Sequence, residues 1–370
     1  MIRIEHVGSF AQGTRSSEVQ TLTRTDRLLI SLAGLVSLAA AVFKLDHGGM
    51  VAVFVSSALA IAVLAALVGR SVDHLSDRMG SGATGFLQSA LANLPEFFIG
   101  IFALRAGLIA VIQSALIGSI LANVLLVLGI SFVVGGLKHG TQRFSTDAPR
   151  LTLLLLVLAV AIIMIPTLSS HLGTKGAMHE IAMSNIASVV LLGIFALSIP
   201  TTLRHVGPRE SGLLEEPIWP VPLVGAVLGA SSVLAFFASD WFIGALTPAM
   251  HTLKISQAFA GLVIVAIAGS AIENFVGIKL ALQDRPDFSL SVILQSPVQI
   301  AVGLIPVLVL LSNFVGPTPL TLVFPTMLVS VLSVSIIVAI VVVFDGESTW
   351  LEGAALVGLY VMIATAYWWG

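Results

Sequence analysis

Apolar runs of about 20 residues follow one another along almost the whole chain, parted by short polar stretches, and a run of that length spans a hydrocarbon core of roughly 30 Å as a helix. Hydropathy together with Pro, Gly and charged breakers places eleven segments, near 28–43, 50–69, 83–104, 107–137, 150–169, 180–202, 219–238, 257–282, 287–315, 319–343 and 350–369. The pattern predicts an all-α integral membrane protein of about eleven transmembrane helices. The longest polar connection, 203–218, carries Arg204, Arg209, Glu210, Glu215 and Glu216 and divides the last ten segments five and five. An odd number of spans per group inverts the second group relative to the first, a plan with which secondary transporters build a site near mid-membrane. The expected organisation is an N-terminus and extra helix over 1–49, a five-helix half over 50–202, a linker over 203–218 and a second five-helix half over 219–370.

Charge sets the expected orientation. With a cytoplasmic N-terminus, the inner segments hold 13 of the 17 Lys and Arg residues and leave Lys44, Arg105, Lys175 and Lys254 outside, as the positive-inside rule requires. The linker is then cytoplasmic, and the plasma (inner) membrane is the expected location. Trp219, Trp241, Trp350, Trp368 and Trp369 fall at predicted helix ends, where rings anchor at the membrane interface. His74, His139, His171, His179 and His251 lie near span ends without metal-ligand spacing, so solvated or interfacial places are expected for them.

Composition narrows the function. The 370 residues are 57% hydrophobic and 10% charged with a net charge of −2, which leaves no sizeable soluble domain and no clustered basic surface for nucleic acid. Mean hydropathy is +1.06. Cysteine is absent, which excludes disulfides and thiolate metal sites. Gly80 to Gly85 lacks the Gly-Lys-Ser/Thr ending of a phosphate loop, and no Ser/His/Asp arrangement is present. Neither an enzyme nor a cofactor is expected.

Two glutamates remain to be explained. Glu96 and Glu273 lie within apolar segments, 177 residues apart, and the same offset carries Gly100 onto Gly277, Ile101 onto Ile278, Ser114 onto Ser291 and Ser119 onto Ser296 without a gap. A carboxylate in hydrocarbon is costly unless used, and two in matched places point to a cation site.

These residues sit in recognisable motifs. Ser89-Ala-Leu-Ala-Asn-Leu-Pro-Glu96-Phe-Phe-Ile-Gly-Ile-Phe-Ala-Leu-Arg-Ala-Gly107, followed by Gln113-Ser-Ala-Leu-Ile-Gly-Ser119-Ile-Leu-Ala-Asn-Val-Leu-Leu-Val-Leu-Gly129 and Gly135-Gly-Leu-Lys-His139, resembles the first α-repeat of the calcium/proton exchanger family, within the calcium/cation antiporter superfamily. Gly269-Ser-Ala-Ile-Glu273-Asn-Phe-Val and Leu294-Gln-Ser-Pro-Val-Gln-Ile300 resemble the second. The resemblance implies one extra helix plus two five-helix halves, and Glu96 and Glu273 as the cation and proton ligands. The chain departs from the family pattern in three places. The Gly-Asn pair before each Glu is Ala92-Asn93 and Gly269-Ser270, the His expected after the second Glu is Asn274, and Gln295 stands where a glycine would precede Ser296.

Around the acids, Pro95 has no N–H and is expected to open the helix beside Glu96, and Gly269 with Ser270 to loosen the turn before Glu273. Asn93, Ser119, Ser270, Asn274, Ser296 and Gln299 are the expected supporting ligands, because Ca²⁺ takes about six to eight oxygens. Ser119 and Ser296 have a second reading as small residues at helix contacts, and Asn93 and Gln299 as interhelical hydrogen-bond partners. One divalent cation or two protons would neutralise the acid pair, which makes Ca²⁺ and H⁺ the expected transported partners in a lipid bilayer. Two other readings stand: an exchanger of Na⁺ or another monovalent cation (or Na⁺ for Ca²⁺), and a cation channel.

Overall fold

The computed structural model describes residues 22–46, 49–76, 91, 93–205 and 219–369. The linker 203–218, with Glu210, Glu215 and Glu216, falls almost wholly outside the described residues. The described chain forms helices α1 (Arg24–Leu45), α2 (Met50–Ser76), α3 (Leu94–Arg105), α4 (Ile109–His139), α5 (Asp147–His171) and α6 (Glu180–His205). After the linker come α7 (Val221–Leu253), α8 (Gln257–Gly269), α9 (Ala271–Leu282), α10 (Pro286–Ser312), α11 (Thr326–Val343) and α12 (Trp350–Trp368). Two short strands, β1 (Gln142–Arg143) and β2 (Glu347–Ser348), pair antiparallel and join the loops beyond α4 and before α12.

Among the described residues nine helices are long and apolar enough to span a membrane, and the pair α8 with Asn274–Leu282, bent by 63°, makes a tenth. The expected segment 83–104 is represented by α3, its earlier part lying mostly outside the described residues. Helix bounds repeat at the offset of 177: Leu94–Arg105 lands on Ala271–Leu282, and Met50–Ser76 lands on 227–253, the end of α7. The most enclosed spans are also an offset-related pair, with 78% of the α4 window and 83% of the α10 window buried, against 17% for α1. α1 is therefore peripheral, and α4 and α10 form the centre. They pack closely on other backbones; Gly118 of α4 lies against the Leu262 backbone of α8 with no room for a Cβ.

Four expectations need correction. α7 does not stop near 238 but runs through Asp240 to Leu253, where Lys254 ends it in the left-handed region at φ 54°; its 33 residues reach about 50 Å. Trp241 accordingly sits inside a helix, beside Phe237. Trp219 is buried at 1% exposure and His74 at 6%, stacked on each other 4.7 Å apart, so neither ring faces lipid or solvent. Finally, 319–325 is not helical.

That last stretch is buried at Leu320, Leu322 and Phe324, and side chains replace the helical bonds it lacks. Gln113 Nε2 donates to Val323 O at 2.8 Å, Thr167 Oγ1 to Leu322 O at 2.7 Å, and Leu320 and Leu322 N–H donate to Ser312 Oγ and Ser184 Oγ at 2.7 and 2.9 Å. Buried irregular backbone is tolerated where side chains satisfy it in this way.

Candidate functional site

Among the described residues two helices begin after a non-helical residue at matching places. Asn93, with φ −96° and ψ 18°, precedes α3, and Pro95 follows in the first turn, where a missing N–H costs nothing. At the same offset Ser270 parts α8 from α9 with φ −98° and ψ 16°. Glu96 and Glu273 are each the third residue of the helix that follows the break, at the end whose dipole favours negative charge. The Glu273 side chain itself lies outside the described residues.

Glu96 is half-buried, and its carboxylate rests on the break of the other half. A Cβ on Gly269 would stand 2.7 Å from Glu96 Cγ and 3.0 Å from Oε1. Gly269 thus provides clearance for the acid as well as a loose turn. A narrow cavity beside Glu96 is walled by Ile99, Val265, Leu304 and Leu308, with Ser119 as its second polar group.

Asn93 is buried and donates Nδ2–H to Gln299 Oε1 at 3.0 Å, a bond between residues 206 apart in the chain. That bond fixes the amide, and its Oδ1 is buried with no hydrogen-bond partner. Asn274 Oδ1 and Ser296 Oγ are buried in the same condition. Ser270 is committed differently, its hydroxyl donating to Ala266 O at 2.8 Å. Neither Asn274 nor Ser296 lines the cavity that joins Glu96 to Ser119. A buried unpaired oxygen costs about 1–3 kcal/mol, so each of these needs a purpose, and a hard cation, which takes neutral and anionic oxygens, would supply one. Among the described residues no group of three or more His, Asp or Glu could hold a metal.

Asn123 was missed by sequence reasoning. It is fully buried, donates Nδ2–H to Ser119 O at 2.9 Å and leaves Oδ1 without a partner. Its counterpart at the offset of 177 is Ile300, so a search for matched polar residues passes over it; an Asn amid an apolar run was the available signal. Asn123 lies in a π-helical stretch, Ala122–Val127, and a second such stretch, Ile300–Leu304, follows Gln299. π-turns inside helices concentrate at functional sites.

A family model described as sodium/calcium exchanger protein matches residues 49–203 and 223–369. The chain is 31% identical over 348 residues to a Ca(2+)/H(+) antiporter of Synechocystis sp., covering 86% of this chain and 91% of that protein. It is 31% identical over 332 residues to the Ca(2+)/H(+) antiporter ChaA of Bacillus subtilis, covering 88% and 94%. Among solved structures, native YfkE matches with a TM-score of 0.80 and 28% identity, over 92% of this chain and 99% of that one. The H+/Ca2+ exchanger CAX shares the fold, with a TM-score of 0.75 at 16% identity over 93% and 92%.

Proposed function

Because the chain belongs to the sodium/calcium exchanger protein family, we propose that it is a secondary active antiporter exchanging Ca²⁺ for protons at a site made by Glu96 and Glu273. The observation that carries this is the Glu96 carboxylate lying on the Gly269 break, with the Oδ1 of Asn93, three residues before Glu96, buried and unpaired. The Ca(2+)/H(+) antiporters among its relatives support the choice of cation. Ca²⁺ is substrate here, and the reading includes no resident cofactor and no enzymatic step.

Coupling follows from charge. One Ca²⁺ or two protons neutralise the acid pair, and a neutralised site can pass through a closed intermediate. An empty site carries two uncompensated charges in a low dielectric, at a cost of several kcal/mol per ion, and does not pass. Alternating access by the two halves would present the site to each side in turn. The repeat of helix bounds at 177 residues and the two-part family match support eleven spans arranged as an extra helix and two inverted halves.

Reconstituted vesicles test the exchange reading: a Ca²⁺ gradient should drive protons the other way. Cation flux without proton counterflow would sink it in favour of a channel. Asn274, where the family resemblance leads one to expect His, keeps a monovalent exchanger as the second reading, and the same assay with Na⁺ and K⁺ separates the two. The cytoplasmic N-terminus and linker rest on the 13 of 17 basic residues. Single cysteines at positions 212 and 370 should label from opposite sides, and labelling from one side would overturn that orientation.

A further inference from the structure

Asp26 stands in the first turn of α1 with 1% of its surface exposed, and its two carboxylate oxygens are engaged by distant parts of the chain. Oδ1 accepts from Arg70 Nε of α2 at 3.0 Å. Oδ2 accepts from Trp219 Nε1, two residues before α7, at 3.0 Å, and from Thr23 N–H at 3.1 Å. The Trp219 ring in turn stacks on His74, one helical turn beyond Arg70. A buried ion pair adds little net stability over apolar packing yet is costly to break, so its use here points to fixing a geometry.

The geometry it fixes is a seam. α2 and α7 are counterparts at the 177 offset and run antiparallel, with Trp219 on His74 near one end and Phe242 on Phe54, 4.9 Å apart, towards the other. α1 packs chiefly on these two helices. They pack in turn on α3, α8 and α9, the helices that carry Glu96, Gly269 and Asn274. A carboxylate holding α1, α2 and the head of α7 at one point therefore acts on the bodies against which the site helices lie.

We propose that Asp26 is a positioning residue that fastens α1 across the α2–α7 seam and so sets the balance between the two sidednesses of the site. This rests on the alternating-access reading, but its test does not need ion flux. The chain has no cysteine, so the exposed residues Val55 on α2 and Val334 on α11 can be replaced by a Val55→Cys, Val334→Cys pair and spin-labelled in lipid nanodiscs. Distance distributions are then compared between the parent, Asp26→Asn and Trp219→Phe. The expected result is a change of at least about threefold in the ratio of the distance populations for Asp26→Asn, and of about twofold for Trp219→Phe. Superimposable distributions in the folded variants would overturn the proposal, even with a lowered melting temperature, since a merely structural carboxylate predicts that outcome. Should Asp26→Asn fail to fold, Trp219→Phe decides alone, because it removes one donor and keeps the ring. Absence of calcium–proton exchange in the parent would sink the functional reading, whereas unmoved distances sink only the role of Asp26.

Discussion

The helices around Glu96 and those around Glu273 share a backbone and differ in the side chains placed on it. Both begin after a non-helical residue of nearly identical dihedrals, Asn93 and Ser270, and both turn a left-handed corner before the next helix, at Gly107 with φ 69° and Asp284 with φ 59°. Both then continue into a π-helical stretch. The side chains diverge: at the offset of 177, Asn93 faces Ser270, Ala122 faces Gln299, Asn123 faces Ile300 and Gly118 faces Gln295. The Asn93–Gln299 bond has no counterpart, because Ser270 and Ala122 cannot make it. What the halves hold in common is the helix break that presents an acid; the neutral oxygens are shared out once between them.

The sharpest way to break this comparison is to treat the acids as unequal. Glu96→Gln and Glu273→Gln should each lower calcium-driven proton movement by about 100-fold, near 2.7 kcal/mol of barrier, in protein that still inserts. Near-parental vesicle flux in either would end the idea of two equivalent carboxylates. Next in size, Gly269→Ala places a methyl 2.7 Å from Glu96 Cγ. Overpacking of that kind costs about 1–3 kcal/mol, so exchange should fall by roughly tenfold or more; an unaffected rate would mean that Glu96 does not need the other half's break.

Gln299→Ala probes the part without symmetry. It leaves Asn93 Nδ2–H buried and unpaired, at about 1–3 kcal/mol, and should weaken cation binding by roughly tenfold in a titration. Asn93→Ala combined with it also removes the Asn93 Oδ1 and should weaken binding further; no added loss would show that Asn93 acts only through its bond to Gln299. The smallest effect belongs to the corners. Gly107→Ala adds a Cβ at positive φ, 3.2 Å from Pro317 Cγ, and should lower stability by about 1–2 kcal/mol. Asp284→Gly relaxes the same backbone but loses the 2.8 Å bond from Gln142 Nε2, so it should stay within about 1 kcal/mol of the parent. Equal losses in thermal unfolding would show that the Gln142 bond, not the backbone, holds that corner.

Much of this was legible because it is written in local terms. Pro95 and Gly269 announce the breaks, and hydropathy alone places most of the helices, because each must bury its own backbone bonds in lipid. Where a residue's state depends on a distant partner, the sequence was silent. Trp219 reads as an interfacial ring until Asp26 and His74 are found beside it. Trp241 reads as lying at a helix end, yet the α7 backbone continues past it to Leu253. Residues 319–325 pass as the start of a span because Leu320, Leu322 and Phe324 are apolar, and nothing local says that Gln113, Thr167 and Ser184 will take over their backbone bonds. Asn123 escaped because the test applied to it was symmetry, and its contribution is to one half alone.

The same stretch bears on the order in which the protein can be made. Gln113, Thr167, Ser184 and Ser312, which satisfy residues 320–324, all precede that segment in the chain. Synthesis runs from the N-terminus, and earlier parts fold first. When the ribosome delivers Leu320 to Phe324, the helices bearing their partners have already emerged, so this non-helical piece can enter a prepared cradle with its backbone groups paired.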